Sequence, residues 1–117
     1  MSENSVVNGL IDLQNEIREW AISKGWREED KPPREPLQLL MLITTELAEA
    51  AEAFRMGNPR CERKGMGQFS HAEEELADVV IRVVQMCDEY NFDLPGAVLA
   101  KMRFNWTRSH KHGGKVC

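Results

Sequence analysis

Hydrophobic residues recur at helical spacing along most of the chain. In the first such segment the apolar positions are four, three, four and three residues apart, at Val6, Leu10, Leu13, Ile17 and Trp20. This spacing places them on one face of a helix. Three further helical segments follow, and no segment shows the alternation that is typical of a strand. The sequence therefore predicts an all-α fold, a four-helix bundle with helices at 4–24, 36–56, 70–90 and 94–108.

Helix-start and helix-stop residues support these boundaries. Gly25 ends the first helix, and Pro36 is suited to the first turn of the second. The sequence Ser70-His-Ala-Glu73 has the pattern of a capping box at the start of the third helix. Asn91 is a plausible left-handed stop, and Asp93 is an N-cap for the fourth helix.

Composition and charge narrow the class of protein. The 117 residues are enough for one domain, predicted at 1–108, followed by a basic tail at 109–117. A net charge of −4 argues against a nucleic-acid polymer as partner, and no apolar run approaches the roughly 20 residues of a membrane span. Three widely spaced cysteines and no leader-like start predict a cytoplasmic protein with reduced thiols.

Two acidic pairs interrupt the apolar faces of the second and third helices. At about 100° per residue, Glu46 falls inside the apolar arc of the second helix and Glu49 lies at its edge. On the third helix, Glu75 borders the apolar arc and Asp78 lies beside it. Each pair has i, i+3 spacing, and each lies on or next to the face that the fold should bury.

One such pair usually marks a solvated face, and that interpretation stays open for either pair taken alone. Two pairs on core-facing arcs favour another interpretation, because an unpaired buried carboxylate costs several kcal/mol. Few lysines or arginines share these arcs. A divalent cation would neutralise the carboxylates, and oxygen ligands favour Mg²⁺, or Mn²⁺ as a substitute, over Zn²⁺. The lack of histidine partners argues against a di-iron centre.

The two pairs resemble the ExxE…ExxD signature of the MazG-like all-α nucleotide pyrophosphohydrolases, here as Glu46-x-x-Glu49 and Glu75-x-x-Asp78 with 25 residues between them. The resemblance covers most of the chain, from about residue 20 to residue 108. Similarity to the dCTP pyrophosphatase branch of the family is strongest in LLMLITTELAEAAEAF (39–54), EELADVV (74–80) and DLPGAVLAKMRFNWTR (93–108).

The resemblance implies Mg²⁺-dependent hydrolysis of a nucleoside triphosphate to the monophosphate and pyrophosphate. The four acids of the signature would be the metal ligands, and Glu49 would also orient or deprotonate the attacking water. dCTP-like deoxynucleotides are the expected substrates and nucleotide-pool cleansing the expected role, with dUTP or phosphoribosyl-ATP as alternative substrates. A homo-oligomer is expected, a tetramer built from two dimers in preference to a dimer. A non-catalytic helical adaptor with a structural cation site is the alternative from another functional class.

Five further residues are candidate substrate contacts. Lys101, Asn105 and Arg108 form one stripe on the fourth helix, which is typical either of a solvated basic face or of a phosphate and sugar clamp. Similarity to the family favours the clamp at Lys101 and Asn105. Trp26 resembles a tryptophan near the family's base pocket, or else packs the loop onto the bundle. Arg82 either pairs with the aspartate one turn before it or contacts a phosphate; dCTP-preferring relatives tend to have a tyrosine at this position.

Overall fold

The computed structural model describes residues 2–108, so the predicted basic tail at 109–117 lies outside the described residues. Within that range the chain forms four helices and no strand: α1 (Glu3–Ser23), α2 (Pro36–Arg55), α3 (His71–Glu89) and α4 (Leu94–Thr107). The predicted all-α fold is confirmed, and each helix boundary lies within one residue of its prediction. Over the same residues, no helix has both the length and the apolar character needed to cross a bilayer.

The predicted helix caps form as hydrogen bonds. The Ser70 side chain accepts from the Glu73 backbone N–H at 3.2 Å, and the Glu73 carboxylate accepts from the Ser70 N–H at 3.0 Å. This reciprocal pair is the capping box. Asn91 adopts a left-handed φ of 55°, and the Asp93 carboxylate accepts from the Gly96 N–H at 3.0 Å. Short polar residues therefore end α3 and begin α4 where the sequence predicts.

The helices pack in the order α2, α3, α1, α4. The main contact joins α2 to α3 as an antiparallel hairpin, α1 packs on α3, and α4 packs on α1. Within residues 2–108 the buried hydrophobic residues are correspondingly few, and half of them are alanines: Ile17, Ala21, Leu39, Ala50, Ala53, Cys61, Ala72 and Val84. The Cα radius of gyration is 16.7 Å, against about 13 Å for a compact domain of this length. The protomer is therefore an open arrangement of helices.

Ion pairs hold the connection between α1 and α2 against the C-terminal end of α3. The Arg34 guanidinium donates to both carboxylate oxygens of Glu89, with a shortest distance of 2.6 Å. Arg27 Nε donates to Asp88 at 3.0 Å, and the Tyr90 hydroxyl donates to the Arg34 carbonyl. Burial alone would raise the pKa of Glu89, but the hydrogen bonds from Arg34 hold that pKa below its usual range.

Backbone hydrogen bonds fix the loop between α2 and α3 to the first turn of α3. The His71 N–H donates to the Pro59 carbonyl at 2.7 Å, and the Ala72 N–H donates to the Asn58 side chain at 2.9 Å. Asn58 has a left-handed φ of 48°, which asparagine tolerates well. This loop covers the end of α3 from which the acidic signature begins.

Candidate metal and active site

The structure brings the four acids of the signature together between α2 and α3. Carboxylate oxygens of Glu46, Glu75 and Asp78 lie within 4.8 Å of one another. The Glu49 carboxylate lies close enough to Glu75 to affect its ionisation. The i, i+3 spacing on each helix aims both members of a pair at the facing helix, and the α2–α3 hairpin supplies that facing helix.

Burial makes this cluster unfavourable without a counter-charge. Glu46 and Glu75 are only 8% and 6% exposed. The Oε2 atom of Glu75 is buried and has no hydrogen-bond partner among residues 2–108. A buried, unpartnered carboxylate oxygen surrounded by further carboxylates is the environment that a cation stabilises. The ligand set is made of carboxylate oxygens, so it fits Mg²⁺ or Mn²⁺.

Two carboxyl groups of this cluster have raised pKa values for the same electrostatic reason. Burial, together with the carboxylates of Glu49 and Glu46, raises the pKa of Glu75 to about 7. Burial and the charge of Glu46 also raise the pKa of Asp78 above its usual range. Both shifts mean that the folded protein holds protons at this cluster more tightly than isolated carboxylates would.

The Arg82 guanidinium contacts this cluster directly. Its Nε donates to Glu46 Oε1 at 2.8 Å, across the interface between α2 and α3. One of the two sequence interpretations paired Arg82 with Asp78 along α3, and the structure corrects it: the hydrogen-bonded partner is Glu46. The long arginine side chain reaches the neighbouring helix, which helical spacing alone does not reveal.

A second buried carboxylate, whose burial helical spacing does not predict, adjoins the cluster. Glu74 is buried on the loop side of α3, where it accepts from Cys61 Sγ at 3.1 Å and from the Arg63 guanidinium. These partners, the Cys61 thiol first, hold the pKa of Glu74 below its usual range although burial opposes this. His71 Nε2 lies 3.6 Å from Glu74 and 3.5 Å from Glu75. Glu74 therefore ties the loop to the acidic cluster.

The candidate substrate contacts of α4 lie beside an aromatic ring of the same helix and an open cavity. Lys101 Nζ lies 4.6 Å from the centre of the Phe104 ring, and Arg108 also lies over that ring. Asn105 and Arg108 line an open cavity of about 380 Å³. The α4 helix packs on α1, and within residues 2–108 no hydrogen bond or ion pair joins these three side chains to the four acids.

Trp26 is also distant from the acidic cluster within one protomer. It is 53% exposed and lines a cavity of about 440 Å³ together with Arg27 and Arg34. This cavity lies at the end of α3 that contains Glu89. Eleven residues separate Asp78 from Glu89, which is about 16 Å along the helix.

Comparison with known proteins supports the resemblance to the dCTP pyrophosphatases. The chain is 31% identical over 106 residues to dCTP pyrophosphatase 1 of Homo sapiens, covering 88% of this chain and 60% of that protein. It is 29% identical over 113 residues to the proteins of the same name from Rattus norvegicus and Bos taurus, covering 92% of this chain and 64% of theirs. No family model matches the chain. The predicted resemblance is confirmed, and the chain spans about 60% of the length of the curated relatives that it matches.

Proposed function

We propose that this chain is a Mg²⁺-dependent nucleoside triphosphate pyrophosphohydrolase of the MazG-like type, with dCTP-like deoxynucleotides as its preferred substrates. The observation that supports this most strongly is the buried cluster of Glu46, Glu75 and Asp78, in which one Glu75 oxygen lacks a partner among residues 2–108. Similarity to dCTP pyrophosphatases over about nine-tenths of the chain supports the reaction and the substrate class.

The four acids Glu46, Glu49, Glu75 and Asp78 are the proposed ligands of Mg²⁺, with Mn²⁺ as a possible substitute. When bound, the metal would neutralise charge on the triphosphate and favour ionisation of the attacking water. The protein's part is to hold the carboxylates in a fixed, poorly solvated arrangement between two helices. Such preorganisation is an important source of catalysis in phosphoryl transfer, because little covalent chemistry is left to the protein.

Glu49 is the proposed general base. It is exposed, whereas Glu46 and Glu75 are buried, so among these glutamates Glu49 is the one that a water molecule can approach most easily. The water oxygen forms a new bond to phosphorus, and Glu49 takes the water proton. The bond from that phosphorus to the oxygen bridging the α- and β-phosphates breaks, and the bridging oxygen leaves with the other fragment, so the products are the nucleoside monophosphate and pyrophosphate.

Lys101, Asn105 and Arg108 are proposed to bind phosphate and sugar, and Trp26 to contact the base. Because α4 packs on α1 in the protomer, we propose that these side chains complete the acidic cluster of a neighbouring protomer. Arg82 already lies at the cluster and would contact a phosphate directly.

A homo-oligomer, a tetramer of two dimers in preference to a dimer, is part of this proposal. Large apolar side chains on several helices are exposed in the protomer, among them Leu40, Met41, Phe54, Leu76 and Trp106. Several of these lie on the arcs that the sequence assigns to a core, so a second copy of the chain is the proposed cover. Light scattering should give a mass near two or four times 13.4 kDa, and a 13.4 kDa species would contradict the oligomer.

Nucleotide-pool cleansing in the cytoplasm is the role proposed for this reaction. Three widely spaced cysteines without a CxxC motif support a reducing compartment.

The test is a kinetic panel of ribo- and deoxynucleoside triphosphates, with phosphoribosyl-ATP included, assayed with Mg²⁺. We expect dCTP to give the highest kcat/KM and Glu49→Ala to lower kcat by at least 100-fold, as loss of a general base does. Glu52→Ala is the matched control, because Glu52 is an exposed glutamate one turn further along α2. A preference for dUTP or phosphoribosyl-ATP would replace the substrate assignment. No turnover, with Mg²⁺ still bound, would favour the adaptor.

A further inference from the structure

Arg82 and a divalent cation would use the same carboxylate. Arg82 Nε binds Glu46 Oε1 at 2.8 Å, and Glu46 belongs to the group of three acids whose oxygens lie within 4.8 Å. A cation held by those oxygens would place a double positive charge close to the guanidinium. Because Arg82 and the cation repel each other, each weakens the binding of the other to Glu46.

The guanidinium has donors left over for another anion. An arginine side chain offers five N–H donors, and here only Nε is used: neither Nη atom of Arg82 donates a hydrogen bond within residues 2–108. The side chain is 27% exposed, so a ligand approaching the cluster can reach it. The planar Nη edge suits the oxygens of a phosphate group.

We propose that Arg82 is the internal counter-ion of Glu46 in the metal-free protein, that a divalent cation displaces it, and that the displaced guanidinium binds the triphosphate. This inference rests on the proposed function and extends it by linking two binding events through one side chain. Arg82 lowers the affinity for the cation alone and raises the affinity for nucleotide once the cation is bound. The cation and the nucleotide are therefore thermodynamically coupled.

Isothermal titration of Mg²⁺ into the full chain, without nucleotide, tests the first part. Arg82→Gln should bind Mg²⁺ about tenfold more tightly than the wild type, within the range of typical coupling effects. A variant with a damaged fold would bind Mg²⁺ more weakly. A gain in Mg²⁺ affinity therefore indicates that the repulsion between residue 82 and the cation has been removed. Arg55→Gln is the matched control, since Arg55 is exposed on α2 and pairs with Glu52. Equal or weaker Mg²⁺ binding by Arg82→Gln overturns the inference.

Titration of a non-hydrolysable dCTP analogue at saturating Mg²⁺ tests the second part. Arg82→Gln should bind the analogue at least tenfold more weakly, and unchanged binding overturns the inference. Arg82→Lys is a second variant in case the glutamine variant does not fold. It keeps the charge but lacks the planar edge, so its Mg²⁺ affinity should stay near that of the wild type while nucleotide affinity falls.

The two levels of the proposal fail in different ways. If the wild type and Arg82→Gln both fail to bind Mg²⁺, the cation site of the proposed function is wrong, and this inference falls with it. If both bind Mg²⁺ equally and the wild type still releases pyrophosphate, only the role of Arg82 is wrong.

Discussion

Replacing Glu75 with glutamine removes one charge from the buried cluster while nearly preserving the shape of the side chain. Burial and the carboxylates of Glu49 and Glu46 raise the pKa of Glu75 from an ordinary value of 4.5 to about 7 in the folded protein. Between these two values the native state binds more protons than the unfolded state. The stability of the metal-free wild type therefore falls as the pH rises through this window. Glutamine cannot ionise, so Glu75→Gln should abolish that loss.

The size of the effect follows from the two pKa values. A pKa raised from 4.5 to about 7 corresponds to at most about 3 kcal/mol of destabilisation, fully present above about pH 7. For a chain of 117 residues, 1 kcal/mol shifts Tm by about 4 °C. Glu75→Gln should therefore raise the Tm of the metal-free protein by about 4–12 °C near pH 8 and change it little near pH 4.5.

Thermal melting followed by circular dichroism, in EDTA and at fixed protein concentration, measures this directly. Glu52→Gln is the control, because this exposed carboxylate should change stability by no more than about 0.5 kcal/mol. Added Mg²⁺ should stabilise the wild type and stabilise Glu75→Gln much less, because the variant has lost a ligand. If Glu75→Gln melts at or below the wild-type temperature near pH 8 in EDTA, the ionised Glu75 carboxylate does not destabilise the metal-free protein.

Two further predictions concern stability away from the cluster. Arg34→Ala leaves the buried Glu89 without its bidentate partner. It should lower the free energy of unfolding in urea by about 3 kcal/mol. A loss below about 1 kcal/mol would show that water solvates Glu89. Because Arg34 keeps the pKa of Glu89 below its ordinary value, the wild type should lose this stabilisation as the pH falls below about 4.5, and Arg34→Ala should lack that acid-dependent loss. Ser70→Ala removes the N-cap of α3 and should lower the free energy of unfolding by about 1 kcal/mol. Ser70→Thr keeps the hydroxyl and should have a melting temperature close to that of the wild type. Equal melting temperatures for the two variants would argue against the cap.

Helical periodicity and capping residues predicted the helix ends and the acidic residues that face a neighbouring helix. The capping residues fixed the helix ends to within one residue, because each cap is a local hydrogen bond. The spacing of the acids predicted a shared site between the second and third helices, and carboxylate oxygens of Glu46, Glu75 and Asp78 lie within 4.8 Å of one another. The angles placed Glu46 inside the apolar arc of its helix and Glu75 at the border of its own, and both side chains are buried.

Features that depend on loops were not predictable in the same way. Glu74 lies about 100° from Glu75 on the polar side of α3, so the pattern indicates solvent exposure. It is buried because the preceding loop brings Cys61 and Arg63 over it. Asp88 and Glu89 are buried for the same kind of reason, by the connection between α1 and α2. Periodicity describes the faces of helices and contains no information about loops that fold over them.

Helical periodicity also did not predict where α4 packs. The stripe of Lys101, Asn105 and Arg108 predicts which side chains share a face but not which helix that face meets. The fold places α4 against α1. Which helix a stripe faces is decided by tertiary packing, which the helical pattern of one chain does not encode.

The most direct test of the account is to identify the products formed from dCTP and Mg²⁺ by phosphorus NMR. We expect dCMP and pyrophosphate in equal amounts, with no reaction in EDTA and a reaction at least 100-fold slower with Glu49→Ala. The appearance of dCDP and phosphate would show that a different bond is cleaved. Unchanged dCTP in the presence of bound Mg²⁺ would contradict the proposal that these four carboxylates form a catalytic site for dCTP.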